Sequence, residues 1–416
     1  MTAEISAPNR FVATSRAAVS QRRLSIGFLN WAHALDHFVI LIYPTVVIEL
    51  EVAHKGTYAQ LIAPSTASFV AFGLFSLPAG WLVDRWSRRN MIAAFYGGCG
   101  LALIAAGLAP SLEVLAVALF ALGVFAAIYH PVGTAMVIES AVQRGRTVAF
   151  NGVCGNLGVS LAAGVTALLT ATLSWRGAFL VPGVVCLATV PLYLWLVPDE
   201  RRHKSSRNAS PEVGVSTAIA VTLFGLFVVV ALSAGLVFNT LSVALPKIVD
   251  ERIPGISLLA VGGLTTAVFI CGAIAQLTVG RLVERFPVHI LFAAMAIMQF
   301  VGVIWTVYAS GVTLLFALAF TMAAIYGQIT VNDLVIARYT ADAWRGRVYA
   351  VRYFLTFMIS GVAVSMIAVF YARGGFPLVL GVNALVALGF LVAVLAIALI
   401  AQNVEKSRVP HAVPAE

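Results

Sequence analysis

Long apolar runs alternate with short polar turns along the whole of this chain. In the first part the runs are Leu24–Ile48, Tyr58–Leu82, Met91–Ala109, Leu112–Ile138, Val148–Leu173 and Gly177–Val197. In the second they are Thr217–Ile248, Ser257–Gly280, His289–Ala309, Val312–Ala337, Val348–Ala372 and Phe376–Gln402. A bilayer core takes about 20 helical residues to cross, so each run is long enough for one pass. The pattern predicts an all-α integral membrane protein with twelve transmembrane helices. The longest polar stretch inside the chain, 198–216, reads as a linker. It divides a six-helix half at 24–197 from another at 217–402, with tails at 1–23 and 403–416.

Several short sequences recur about 200 residues apart. Gly80-Trp81-Leu82-Val83-Asp84-Arg85 returns as Gly280-Arg281-Leu282-Val283-Glu284-Arg285. Ala126-Ala127-Ile128-Tyr129 returns as Ala323-Ala324-Ile325-Tyr326, and Arg144-Gly145-Arg146 as Arg345-Gly346-Arg347. Pro44 near the end of the first run matches Pro246 near the end of the seventh. These echoes predict two pseudo-symmetric halves related by a parallel repeat.

Composition agrees with the pattern. Hydrophobic residues make up 61% of the chain and charged residues only 10%, more apolar surface than a soluble domain buries. The net charge of +9 falls in short loops, which argues against a nucleic-acid partner. Placing both termini in the cytoplasm puts 20 of the 26 Lys and Arg residues inside, and Arg352 makes 21. Lys55, Arg176, Lys247, Arg252 and Arg373 are left outside. Residues 1–23 lack the apolar core of a cleavable signal. Cys99, Cys154, Cys186 and Cys271 each lie in an apolar run, and none forms a Cys-x-x-Cys pair. They read as small membrane-buried residues rather than disulfide or metal partners.

The island Gly80-Trp81-Leu82-Val83-Asp84-Arg85-Trp86-Ser87-Arg88-Arg89 lies between two apolar runs, where its charges mark a turn between spans. Its spacing resembles the signature loop between the second and third helices of the major facilitator superfamily, with Ser87 where that family usually has Gly. The resemblance implies the major facilitator fold, with spans one, four, seven and ten around a central cavity. It also implies an inner gating network of Asp84, Arg85 and Glu139, to which we add Arg146. Asp333 and Arg352 are expected to pair at the inner ends of spans ten and eleven.

Buried ionisable residues are the best pointer to chemistry, because each costs about 2.5–3.5 kcal/mol to insert at mid-membrane. Span one carries His33, Asp36 and His37, and span four carries His130 beside Tyr129 and Pro131. On one helix, Asp36 and His37 sit a turn beyond His33 on the same side. Asp36 and His33 are the candidate proton carriers. His33, His37, Tyr43, Tyr129, His130, Asn239, Tyr326 and Gln328 are the candidate substrate contacts. Ala32-His33-Ala34-Leu35-Asp36-His37, Ile128-Tyr129-His130-Pro131 and Asn156-Leu157-Gly158-Val159-Ser160-Leu161 resemble the fosmidomycin-resistance-type exporters. That resemblance implies export of a small organic compound in exchange for protons by alternating access.

Two alternatives share the same residues. One is a divalent metal transporter using His33, Asp36, His37 and His130. The other is an importer of an organic anion or a metal chelate. No nucleophile elbow, phosphate loop or catalytic domain points to an enzyme, and no cofactor is expected. The expected partners are a small-molecule substrate, protons and the lipid bilayer of the cell (inner) membrane, with the chain acting as a monomer.

Overall fold

A computed structural model describes residues 10–54, 56–83, 85–141, 144–199, 217–340 and 342–406. Every regular element among these described residues is helical. Before the segment 200–216 come α1 (Arg10–Ile40), α2 (Ile42–His54), α3 (Tyr58–Ile62), α4 (Ser65–Leu82), α5 (Arg88–Leu108), α6 (Leu112–Ala126), α7 (Tyr129–Ser140), α8 (Arg144–Thr172) and α9 (Gly177–Leu196). After it come α10 (Thr217–Arg252), α11 (Leu258–Leu282), α12 (Val288–Tyr308), α13 (Gly311–Tyr339) and α14 (Asp342–Lys406). Among the described residues, ten helical stretches are long and apolar enough to cross a membrane. They expose large apolar side chains such as Leu74, Leu101, Trp195, Phe316 and Leu385, as a lipid-facing surface does.

The helix breaks follow the prolines. Pro131 has no N–H to offer Ala127, so the helix is interrupted at Ala127–Ile128 and restarts as α7. Pro44 likewise leaves Ile40 without a donor, and the chain turns at Leu41 between α1 and α2. In α14 the helical path breaks at Gly374 and Gly375. Gly375 has φ 61°, which an L side chain rarely adopts, and Pro377 opens the next stretch.

The 200-residue repeat reaches the helix caps. Thr57 and Ser257 cap α3 and α11 through their hydroxyls. Helices α4 and α11 end at Leu82 and Leu282, and α5 and α12 run Arg88–Leu108 and Val288–Tyr308. Arg176 bonds the last carbonyls of α5 at Gly107 and Ala109, and Arg252 bonds those of α12 at Val307 and Ala309. A cation at a helix carboxyl end also suits the helix dipole.

One difference from the sequence reading concerns the amino-terminal tail. Helix α1 starts at Arg10 rather than Leu24, because the intervening Ala, Arg and Gln are good helix formers. The predicted linker 198–216 falls almost wholly outside the described residues, as do residues 1–9 and 407–416 of the tails.

Two apolar cores form. One joins Leu29, Tyr43, Phe95 and Phe179 of the amino-terminal helices to Leu241, Leu245, Phe269 and Phe376 of the carboxyl-terminal ones. The second, around Phe227, Phe292, Val335 and Phe390, belongs to the carboxyl-terminal helices alone. The two sets are therefore fused at the end where α2 and α10 finish, the Lys247 end. They keep a separate core at the opposite, Arg88 end.

Candidate functional site

The interruption at Ala127–Ile128 places Tyr129 and His130 at the start of α7, facing His33, Asp36 and His37 of α1. Three imidazole rings form a near-equilateral triangle. Their centroids are 5.1 Å apart for His33–His37 and 5.3 Å for both His33–His130 and His37–His130. Asp36 is fully buried, and its Oδ2 lies 3.2 Å from His130 Nε2, within ion-pair distance though out of line for a good hydrogen bond.

Helix α8 fixes one corner of the triangle. His33 Nδ1 lies 2.8 Å from the Asn151 carbonyl and 3.0 Å from Asn151 Oδ1. Both are acceptors, so Nδ1 carries the proton and donates it, which leaves the Nε2 lone pair free. Tyr129 stacks on His33 at 4.8 Å and donates to Asn151 Oδ1 at 3.1 Å. Asn151 Nδ2 donates to Asn30 Oδ1 at 2.9 Å, which settles the orientation of that amide. Close approach needs glycine on α8. A Cβ at Gly155 would stand 2.5 Å from His33 Nε2, and one at Gly158 would strike the Ala34 carbonyl. Gly152, the third member of that series, faces open space.

Phe72 of α4 and Phe357 of α14 close the other side. Phe357 lies 4.7 Å from the His130 ring and 5.0 Å from Phe72. Across the same seam, Gly73 meets the Phe357 backbone and Ser360 donates to the Phe69 carbonyl at 3.4 Å. The imidazole cluster of the amino-terminal helices is thus capped by a ring from the carboxyl-terminal ones.

The remaining candidates lie elsewhere. Tyr43 is buried and spends its hydroxyl on the Leu61 carbonyl, joining α2 to α3. Asn239 donates to Gly235 of its own helix at 2.7 Å. Tyr326 is fully buried, packs on Phe238 at 6.0 Å and offers a hydroxyl with no hydrogen-bond partner among the described residues. Gln328 Oε1 and Asn332 Oδ1 are buried in the same condition. None of these five is among the ring contacts of the imidazole cluster.

At the Arg88 end, Asp84 lies outside the described residues. Glu139 pairs with Arg88 rather than Arg85, because Arg88 opens α5 beside the end of α7. Arg85 folds back on its own turn, bonding the Trp81 carbonyl at 3.1 Å with its guanidinium 4.0 Å from the Trp81 ring. Arg146 is exposed in the first turn of α8. Arg352 bonds Asp333. Both ion pairs described here stay within one set of helices.

The Lys247 end differs, and the sequence reading missed it. Lys247 of α10 reaches Glu51 of α2 at 2.6 Å and Asp250 at 2.8 Å, with Glu251 at 3.7 Å. Tyr371 of α14 donates to Glu251. Only 8% of Lys247 is exposed, so this cation latches the two sets together out of water. A signal was present: a lysine closing an apolar run just after Pro246, with acids three and four residues on and Glu51 after the matching Pro44.

Residues 26–253, more than half of the chain, match the Major Facilitator Superfamily. The "Gallate transporter" of Pseudomonas putida is 28% identical over 159 residues, covering 37% of this chain and 35% of that one. The "Probable sulfoacetate transporter SauU" of Cupriavidus necator is 26% identical over 163 residues, covering 38% and 37%. The chain thus aligns with little more than a third of the length of these relatives. Among solved structures, a bacterial homolog to the human lysosomal transporter Spinster, inward-facing and unoccupied, superposes with TM-score 0.74 at 13% identity over 94% of this chain and 99% of that one. The D-xylose-proton symporter superposes with TM-score 0.69 at 15% identity over 90% and 96%. Those structures share the fold and extend the likeness beyond residue 253. The two curated relatives are named for gallate and sulfoacetate, so the narrower resemblance to fosmidomycin-resistance exporters gives way to the superfamily. A helical fold repeated at 200 residues, matched over residues 26–253, makes the chain a multi-pass membrane protein of the Major Facilitator Superfamily, a transporter family and not an enzyme.

Proposed function

We propose that the protein is a secondary transporter with twelve spans that carries a small organic anion together with protons by alternating access. The observation that carries the reading is Asp36, fully buried and facing His130 beside a triangle of three imidazoles at two broken helices. Such groups are costly in a bilayer, and broken helices at mid-membrane are where secondary transporters bind cargo.

The count of twelve follows from length. The stretch Phe354–Asn403 is 50 residues, about 75 Å of helix, against a hydrocarbon core of about 30 Å. The break at Gly374–Gly375 divides it into two passes, and α1 with α2 supplies one more. The two halves are 24–197 and 217–402, with both termini in the cytoplasm of a cell whose inner membrane the chain spans.

Substrate class comes from chemistry shared by the relatives' named substrates. Gallate and sulfoacetate are both carboxylates. This favours the organic-anion reading over drug efflux. A protonated imidazole pairs with a carboxylate, so proton and anion strengthen each other's binding and travel in the same direction. An exchanger would need them to compete. The latch and shared core at the Lys247 end, with ion pairs at the Arg88 end that stay within one set among the described residues, support an inward-facing state once both termini are placed in the cytoplasm.

The test is uptake of radiolabelled gallate and sulfoacetate into proteoliposomes under an imposed pH gradient. Accumulation of either, abolished when a protonophore collapses the gradient, is the expected result. Efflux of the compounds against the gradient would overturn the symport reading.

A further inference from the structure

We infer that His33, His37 and His130 form a binding site for a divalent first-row transition metal ion of the zinc class. One ring nitrogen from each can be chosen so that all three lie within 4.8 Å of one another. A tetrahedral site with metal–nitrogen bonds of about 2.0–2.1 Å needs nitrogens roughly 3.3 Å apart, so ring rotations of about 1 Å close the triangle.

The local sequence suits the geometry. His33 and His37 stand at i and i+4 on one helix face, the spacing by which two histidines share an ion. His130 comes from α7 as the third ligand. Three imidazoles suit zinc, cobalt, nickel and copper rather than magnesium or calcium, which take oxygen.

The surroundings are those of a metal site. Asn151 fixes the His33 tautomer through Nδ1 and leaves Nε2 with its lone pair. Metal-ligating histidines are held in this way through their second nitrogen. Asp36, fully buried at 3.2 Å from His130 Nε2, supplies negative charge to balance a cation. Three imidazoles leave the fourth position open, as in sites that bind an exchangeable ligand. Ligation needs neutral imidazoles, so the ion occupies the place of the protonated, anion-loaded form and blocks it.

The inference goes beyond the transport reading and is tested without any organic acid. Untagged protein in detergent is stripped with a chelator and titrated with Co²⁺ alone, reading visible ligand-field absorption and metal content. The expected result is one Co²⁺ per chain with the intense band of tetrahedral coordination, displaced by Zn²⁺. His37→Ala and His130→Ala lose the band while remaining monodisperse. Asn151→Ala, which keeps all three ligands, weakens affinity by roughly 10–100-fold. His289→Ala, outside the cluster, leaves the band unchanged. Absence of a tetrahedral band would overturn the inference, as would its survival in both cluster variants or its loss on changing His289. Should either ligand variant fail to fold, the Asn151→Ala affinity decides: wild-type Co²⁺ affinity there contradicts the assignment.

Discussion

The two sets of helices share a scaffold and differ in chemistry. Their caps and ends repeat at a spacing of 200 residues. Aligning Pro44 with Pro246 sets His33, Asp36 and His37 against Gly235, Phe238 and Asn239. Aligning the tyrosines sets His130 against Gly327. The amino-terminal set concentrates a buried acid and three imidazoles. At matching places the carboxyl-terminal set has neutral side chains, and Asn239 spends its amide on its own helix. The carboxyl-terminal set contributes Phe357 over His130 and Lys247 into Glu51. One set holds the chemistry and the other covers and latches it.

The largest effect comes from breaking the latch. Lys247→Met removes the cation that meets Glu51 across the two sets, a loss to the sealed state of about 3 kcal/mol, the low end for a buried pair because Glu51 keeps some access to water. Spin labels at the exposed Val52 and Leu259 read it: their distance distribution shifts to longer separations, where the unaltered latch holds it short. An unchanged distribution would show that the shared apolar core seals this end by itself.

Next comes the buried acid. Asp36→Asn keeps the shape and removes the carboxylate that faces His130 and stabilises its protonated form. Gradient-driven accumulation falls by the roughly 5–150-fold that a coupling free energy of about 1–3 kcal/mol represents, while counterflow of substrate continues. Accumulation at the unaltered level would leave Asp36 a structural role only, beside His130.

The packing of α8 on the site gives a smaller, stability-based contrast. Gly155→Val drives a side chain into His33 and costs about 1–3 kcal/mol, lowering the unfolding temperature. Gly152→Ala, one turn away and facing open space, is neutral or stabilises by roughly 0.5–1 kcal/mol. The smallest effect is Asn239→Leu, within about 0.5 kcal/mol in stability. Its expected transport rate is close to that of the unaltered protein. A large loss there would break the asymmetry between the sets.

Much of this was legible in the sequence, for physical reasons. A run of about 20 apolar residues has few options other than a span, so element existence and order were readable. Charged residues inside such runs stand out, which is why His33, Asp36, His37 and His130 were identified. What stayed hidden depends on helix rotation and tertiary contact. Asn151 orients His33 from another helix 118 residues away, and no local spacing reveals that bond. Phe72 and Phe357 look like any aromatic in an apolar run until the seam between α4 and α14 brings them to His130. Choosing between Arg85 and Arg88 as the partner of Glu139 turned on the side chain's direction out of a tight turn. Tyr43 lies in the right span, yet its hydroxyl is held by Leu61.

The most direct test of the asymmetry is proton movement triggered by substrate alone. Purified protein in lightly buffered detergent is mixed with gallate or sulfoacetate while a pH dye reports protons taken up. The unaltered protein and Asn239→Leu are expected to take up protons on binding, and Asp36→Asn, whose His130 has lost the carboxylate that stabilises its protonated form, to take up fewer. Proton uptake by Asp36→Asn equal to that of the unaltered protein would contradict the claim that the amino-terminal site holds the coupling chemistry.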